Sequence, residues 1–214
     1  MVATSINYFY KNVHDQNSVD DILYGYDVLF ENEYLFTASS CLGVQYQSIP
    51  NDAMVFQQLI WRIKPDLIID LGTNVGGSAV FFASIMPFYS DVGIVLTIDR
   101  ESFTMDWVPD RRTLCKDCVN ATDNKLWKKY VHFIQGSTND VSVLAEVKKY
   151  AANGRTVFIS HDAAHDCDSV YEDLINYTEF FSINSYMVVQ DTKLDRMKIP
   201  SRGPLAVVRK FLDY

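Results

Sequence analysis

Leu67-Ile68-Ile69-Asp70-Leu71-Gly72-Thr73-Asn74-Val75-Gly76-Gly77-Ser78 decides how the rest of this chain is read. The first five residues form a short apolar run broken only by Asp70, the pattern of a strand buried on both faces in a parallel sheet. Gly72 closes the run, and the glycines after it allow a sharp turn into a helix whose first N–H groups are unsatisfied. The spacing is not that of the dinucleotide fingerprint: G-x-G-x-x-G would need glycine at 74, where Asn74 stands, so pyrophosphate binding is disfavoured.

The same alternation continues on either side. Upstream, Met54, Val55, Leu59 and Ile63 fall at helical spacing, with Asp52 at the start and Lys64-Pro65 at the end. Downstream the pattern predicts a helix over 77–86 and a second strand over 94–98 that ends in Asp99. A polar segment, 101–130, follows, with a helix near its end. Further strands are expected over 131–134, 157–159 and 186–189, and a helix over 142–150 is stopped by Asn153-Gly154. Val170, Leu174, Tyr177 and Phe181 make a helical stripe, and Gly203-Pro204 opens a last helix, since proline suits the first turn. Strands alternating with helices predict an α/β fold with a doubly wound, mainly parallel sheet and right-handed crossovers. Residues 1–50 lack a clean period and read as an N-terminal extension; residues 51–214 read as the α/β domain.

Composition excludes several classes of function. Hydrophobic residues make up 48% and charged residues 21%, as in ordinary soluble domains. A formal net charge of −8 argues against a nucleic-acid partner, which needs clustered Lys and Arg. No apolar run reaches membrane-spanning length, and the start of the chain has no charged segment leading into an apolar one, so no signal peptide is expected. Cys115 and Cys118 form a lone C-x-x-C; zinc would need two more ligands, and Cys41 and Cys167 have no helpful spacing. The cytoplasm is the expected location.

Ligands of doubly wound sheets sit beyond the carboxyl ends of the strands, and the residues with chemical potential lie there. Asp70, Gly72, Asn74, Gly76 and Ser78 belong to the first strand and its turn. Asp99, at the tip of the second strand, can accept hydrogen bonds from two ribose hydroxyls. Asp162 follows the fourth strand, and Gln190 and Asp191 follow the fifth. Adjacent strands would bring these three together to offer oxygen atoms to one hard cation such as Mg²⁺. His165 lies three residues after Asp162, and the near-neutral reference pKa of histidine suits a proton acceptor there, whereas strand alternation turns His161 away from Asp162.

With these residues in view, the chain resembles the class I S-adenosylmethionine-dependent methyltransferases, and more closely the cephalosporin hydroxylase or rhamnosyl O-methyltransferase group. The likeness runs from about residue 42 to 212. It is carried by Leu42-Gly43-Val44 with Pro50 and Asp52, Lys64-Pro65-Asp66-Leu67-Ile68-Ile69, Leu71-Gly72, Gly76-Gly77-Ser78-Ala79, Gly136-Ser137-Thr138 with Asp140, Val188-Val189, Asp191-Thr192, Gly203-Pro204 and Phe211-Leu212. It implies that Asp70, Gly72 and Ser78 line the methionine end of the cofactor, that Asp99 holds its ribose, and that Ser137 lies near the adenine. It further implies a metal-assisted O-methyltransferase acting on a small polyhydroxylated acceptor, a sugar or a catechol-like ring, with His165 at the position of the base in similar sugar-modifying enzymes. Those relatives usually carry a carboxylate where this chain has Gln190.

Three other readings stand beside it: a metal-independent methyltransferase relying on His165 alone, a shortened cofactor-binding module without catalysis, and an iron-dependent hydroxylase. The last would need two histidines and a carboxylate, and His161, Asp162 and His165 are the nearest approach. Class I methyltransferases normally add an antiparallel hairpin after the last helix. Its absence here leaves the fifth strand as an apolar edge, to be covered by residues 22–36, by a second copy in a homo-oligomer, or by a further segment. The acceptor pocket is expected to take its walls from the N-terminal region and the 193–202 loop.

Overall fold

The computed structural model describes residues 16–101, 115, 117–152, 154–197 and 203–213. Most of the polar segment after Glu101, and residues 198–202 of the expected pocket wall, lie outside them. The chain forms two compact units, Met1–Leu35 and Phe36–Tyr214. The first contains helix α1 (Gln16–Asn32), where Tyr26 and Phe30 stack with ring centroids 5.6 Å apart.

The second unit begins with a short hairpin, β1 (Ser40–Cys41) and β2 (Val44–Gln45), followed by α2 (Pro50–Ile63). Pro50 starts α2 and Lys64 ends it in the left-handed region at φ 52°. The alternating part comprises β3 (Leu67–Leu71), α3 (Gly77–Ile85), β4 (Ile94–Asp99), α4 (Lys125–Tyr130), β5 (Val131–Gln135), α5 (Val141–Ala151), β6 (Val157–His161), α6 (Cys167–Tyr177), β7 (Met187–Val189), α7 (Lys193–Arg196) and α8 (Pro204–Leu212). Each strand and long helix expected from the pattern is present, its ends within a few residues. Cys115 and Cys118 are bonded to each other, their Cα atoms 5.5 Å apart.

The five main strands pair in the order β5-β4-β3-β6-β7, every neighbour parallel. All five side chains of β3 are buried, as the apolar run demands. One face carries Ile68, Val95 and Phe158 against α2, α3 and α4. The other carries Leu67, Ile69, Leu71, Val157 and Ile159 against α5 and α6. Helix α8 packs on α6 through Val170, Leu174 and Val207, beside Met187 and Val189 of β7. From β3 the chain winds outward to β4 and β5, then returns to lay β6 and β7 on the opposite side. The crevice at this reversal, between the carboxyl ends of β3 and β6, is where such sheets bind ligands.

Candidate active site

At the reversal, two strand exits touch. A side-chain carbon on Gly72 would collide with the carbonyl group of Asp162, and Gly72 has φ 100°. The N–H of Asp162 also donates to Leu71 O, 2.8 Å. The glycine is therefore required by a neighbouring strand exit, not by open space for a ligand. Gly77 is constrained likewise: a side chain there would run into the backbone of Gln45 and Tyr46, so the loop after β2 lies across the start of α3.

The turn around these glycines is rich in acceptors. Asp70 is fully buried; its Oδ2 accepts from Ser78 Oγ (2.8 Å) and Thr97 Oγ1 (3.0 Å), while its Oδ1 has no hydrogen-bond partner. Burial drives the Asp70 pKa up to about 7, against the two hydroxyl donors that favour its ionised form. Asn74 sits in the left-handed region at φ 48°, which Asn tolerates better than most side chains. Its N–H donates to Asp99 Oδ2 (3.0 Å), its Nδ2 to Gln47 Oε1 (2.8 Å), and its buried Oδ1 has no partner. Gly76, at φ 82°, is the residue from which α3 starts. Asp99 thus lies against the turn, its other oxygen accepting from Glu101 N–H (3.3 Å). Ser137 lies one strand further, half-buried, its N–H on Asp140 Oδ2 (2.8 Å), next to Gly136, whose N–H bonds Asp99 O.

Across the reversal, Asp162, His165 and Asp191 converge, one ligand atom of each lying within 4.8 Å of the others. His165 Nε2 is 3.3 Å from Asp162 Oδ1 and 3.1 Å from Asp191 Oδ2, and Lys193 Nζ is 3.2 Å from Asp191 Oδ1. Gln190 stands beside them, but its Nε2 donates to Ser160 Oγ at 3.0 Å. Two of the three expected metal-ligating side chains therefore meet at His165, and the third turns its amide nitrogen back to the sheet. Burial works against an imidazolium at His165, yet the two carboxylates outweigh it and raise the pKa to about 9. Burial likewise pushes Asp191 toward the neutral acid, but His165 and Lys193 prevail and bring it to about 2. Asp162 is raised, first by burial and then by Asp191, with His165 opposing.

His161 points the other way, as alternation requires: it is buried and bonded to Asp173 of α6. The two-histidine set needed by an iron-dependent hydroxylase is not assembled by His161, Asp162 and His165. Three residues near the cluster carry no signal in the strand pattern. Burial pushes the Asp52 carboxyl up, with Lys193 opposing and Asp191 adding, so the first turn of α2 lies close to the cluster. Tyr46, stacked on Phe81 at 5.3 Å, also feels the charges of Asp70 and Asp162. Lys193 follows Asp191 by two residues and is legible in the sequence only as part of a loop.

These donors fit the groups that the sequence implies. Two buried acceptors, on Asp70 and Asn74, lack a protein partner and suit a ligand that brings N–H groups, and Asp99 retains acceptor capacity for hydroxyls. Two carboxylates on one point suit a hard divalent cation.

The sequence matches the family described as rhamnosyl O-methyltransferase/CmcI over residues 32–212. It is 23% identical over 188 residues to the rhamnosyl O-methyltransferase of Mycobacterium tuberculosis, covering 86% of this chain and 70% of that protein. The fold is similar to that of CmcI solved with Mg and SAM, with a TM-score of 0.56 and 15% identity over 83% of this chain and 66% of the other. It is also similar to an O-methyltransferase from Bacillus cereus in complex with SAH, with a TM-score of 0.54 and 14% identity, covering 100% of this chain and 86% of the other. The architecture is thus the Rossmann-like one of class I methyltransferases, and this chain belongs to the rhamnosyl O-methyltransferase/CmcI family.

Proposed function

We propose that this chain transfers a methyl group from S-adenosylmethionine to a hydroxyl of a small polyhydroxylated acceptor, a rhamnosyl or related sugar first among them, with Mg²⁺ at Asp162 and Asp191. The observation that carries the reading is the meeting of the Gly72 turn with the Asp162–His165–Asp191 cluster at the sheet reversal. The names of the curated relatives support the sugar acceptor, and the CmcI complex with Mg and SAM supports both cofactors.

S-adenosylmethionine, when bound, supplies the methyl group on a positively charged sulfur. The residues we assign to hold it are Asp70, Gly72, Asn74, Gly76 and Ser78 at the methionine end, Asp99 at the ribose and Ser137 near the adenine, with Asp162 also contributing. Asp162, Asp191 and the Gln190 carbonyl would hold a Mg²⁺ ion, which would supply Lewis acidity toward the acceptor hydroxyl. His165 Nε2 lies between the two carboxylates, and in its neutral form, with that nitrogen unprotonated, it would take up the proton released by the acceptor. The chain's main contribution is alignment of the two reacting groups, which is where displacement at carbon gains most.

The test is incubation with labelled S-adenosylmethionine and a panel of rhamnosides, other sugars and catechols, read by mass spectrometry with and without Mg²⁺. A methylated sugar formed only with the ion is the expected result, and no methylated product from any acceptor contradicts the reading. Asp191→Ala is expected to lower kcat at least about 100-fold, the scale of a lost transition-state contact. A second reading is favoured by one feature: His165 and Lys193 already counterbalance both carboxylates. In that reading His165 acts without a metal, and activity survives strong chelation. Among the described residues no strand pairs with the outer edge of β7. We propose a second copy there; a dimer in light scattering supports it, and a monomer removes it.

A further inference from the structure

The pair His161–Asp173 has no role in the chemistry proposed above, yet it is the most deeply buried histidine–carboxylate contact among the described residues. The side chains are 1% and 0% exposed, His161 Nε2 lies 2.8 Å from Asp173 Oδ2, and Asp173 Oδ1 has no hydrogen-bond partner. Burying such a pair is commonly no more stabilising than packing two apolar side chains of similar volume. Stability alone therefore does not account for it.

Its place in the sheet suggests what does. His161 is the last residue of β6, in register with Leu71 of β3 and with Val189 of β7. The next N–H, that of Asp162, donates to Leu71 O, and the N–H of Gln190 donates to His161 O at 2.9 Å. Both carboxylate-bearing exits thus leave the sheet from peptides tied to His161. Its ring points to the opposite layer and meets Asp173 in the second turn of α6. The bond closes a loop of chain from 161 to 173 that contains Asp162 and His165. Helix α6 otherwise meets its neighbours through the apolar contacts of Val170, Leu174 and Tyr177 and through hydrogen bonds of Glu172, Asn176 and Tyr177 to residues 138 and 139; the His161 bond is the short, directional contact that ties it to β6 itself.

We infer that His161 and Asp173 are positioning residues, whose hydrogen bond fixes the height of α6 on the sheet and thereby holds His165 against Asp162 and Asp191. The inference rests on the proposed function for its catalytic consequence, not for its structural one.

The test compares the full chain with the double variant His161→Leu/Asp173→Leu and with Asp173→Asn, which keeps the shape and one acceptor. Urea unfolding, S-adenosylmethionine titration, amide hydrogen exchange and, where an acceptor is turned over, steady-state kinetics are measured. The double variant is expected to keep the wild-type urea midpoint and cofactor affinity. Its amide exchange should quicken across 162–166 but not across the 72–76 turn. Its kcat should fall at least about tenfold, since displacement of a reacting group by a fraction of an ångström is costly, with the KM for cofactor unchanged. Asp173→Asn should show the same changes in smaller degree, and it carries the test alone if the double variant does not fold. Wild-type exchange in 162–166 overturns the inference, and so does faster exchange spread over both segments with a lowered midpoint. If no acceptor is methylated, the proposed function fails while the exchange measurement still decides this one.

Discussion

Asp70 bears the sharpest consequence at the scale of one residue. Its carboxyl lies one residue short of the carboxyl end of the central strand with one oxygen unpartnered, and burial holds its pKa at about 7 against 3.8 for the free side chain. The folded chain therefore binds a proton that the unfolded chain has released between those two values. Folding stability from this group is fully present below about pH 4 and is lost as pH rises through about 7, by roughly 4 kcal/mol if the whole difference is expressed. Asp70→Asn should remove that slope, so urea midpoints of variant and wild type should diverge from pH 5 to 8 in favour of the variant. Parallel curves would show that Asp70 is not the group titrating. The strand-end rule makes Asp70, Asp99, Asp162, His165 and Asp191 legible in the sequence, because each lies within or just beyond an apolar run. Tyr46, Asp52 and Lys193 are not legible as site residues, since they reach the site from loops and a helix start whose spacing carries no period. The Gln190 side chain also shows the limit of the rule: a strand tip places a residue, whereas its neighbour Ser160 decides which atom faces the crevice.

At the scale of elements, the turn after β3 is set by contact between two chain segments. Gly72 has a backbone conformation that side chains rarely adopt and sits against the Asp162 carbonyl. Gly72→Ala should cost about 3 kcal/mol or more, combining backbone strain with overpacking, and should displace Asp162. A fall in urea midpoint together with weaker cofactor binding is expected; a variant with wild-type stability would refute the packing account. The strands and long helices are readable because continuous apolar runs and period-3.6 stripes are strong from 52 to 99 and from 131 to 212. Helix α1 is not readable. Ile22, Tyr26, Leu29 and Phe30 do stand at helical spacing, but the acids and further aromatics interleaved with them, Tyr24 among them, blur the period. The β1–β2 hairpin escapes the pattern for another reason: two-residue strands are too short to show alternation.

At the scale of the whole α/β unit, the order β5-β4-β3-β6-β7 places the chain reversal between β3 and β6, and chemistry gathers where the reversal brings unrelated stretches of sequence together. The alternation of strands and helices predicts this architecture, but the strand order itself comes from the structure, since right-handed crossovers permit winding to either side of β3. The account stands on a cofactor seated on the Gly72 turn within reach of the Asp162–Asp191 cluster. Isothermal titration of S-adenosylmethionine into the wild-type chain and into Asp99→Ala, each with and without Mg²⁺, tests that claim most directly. The prediction is saturable binding at one site per chain, weakened at least about tenfold in the variant by loss of a charged acceptor. Absence of saturable heat in the wild type, or equal affinity in both proteins, would contradict it.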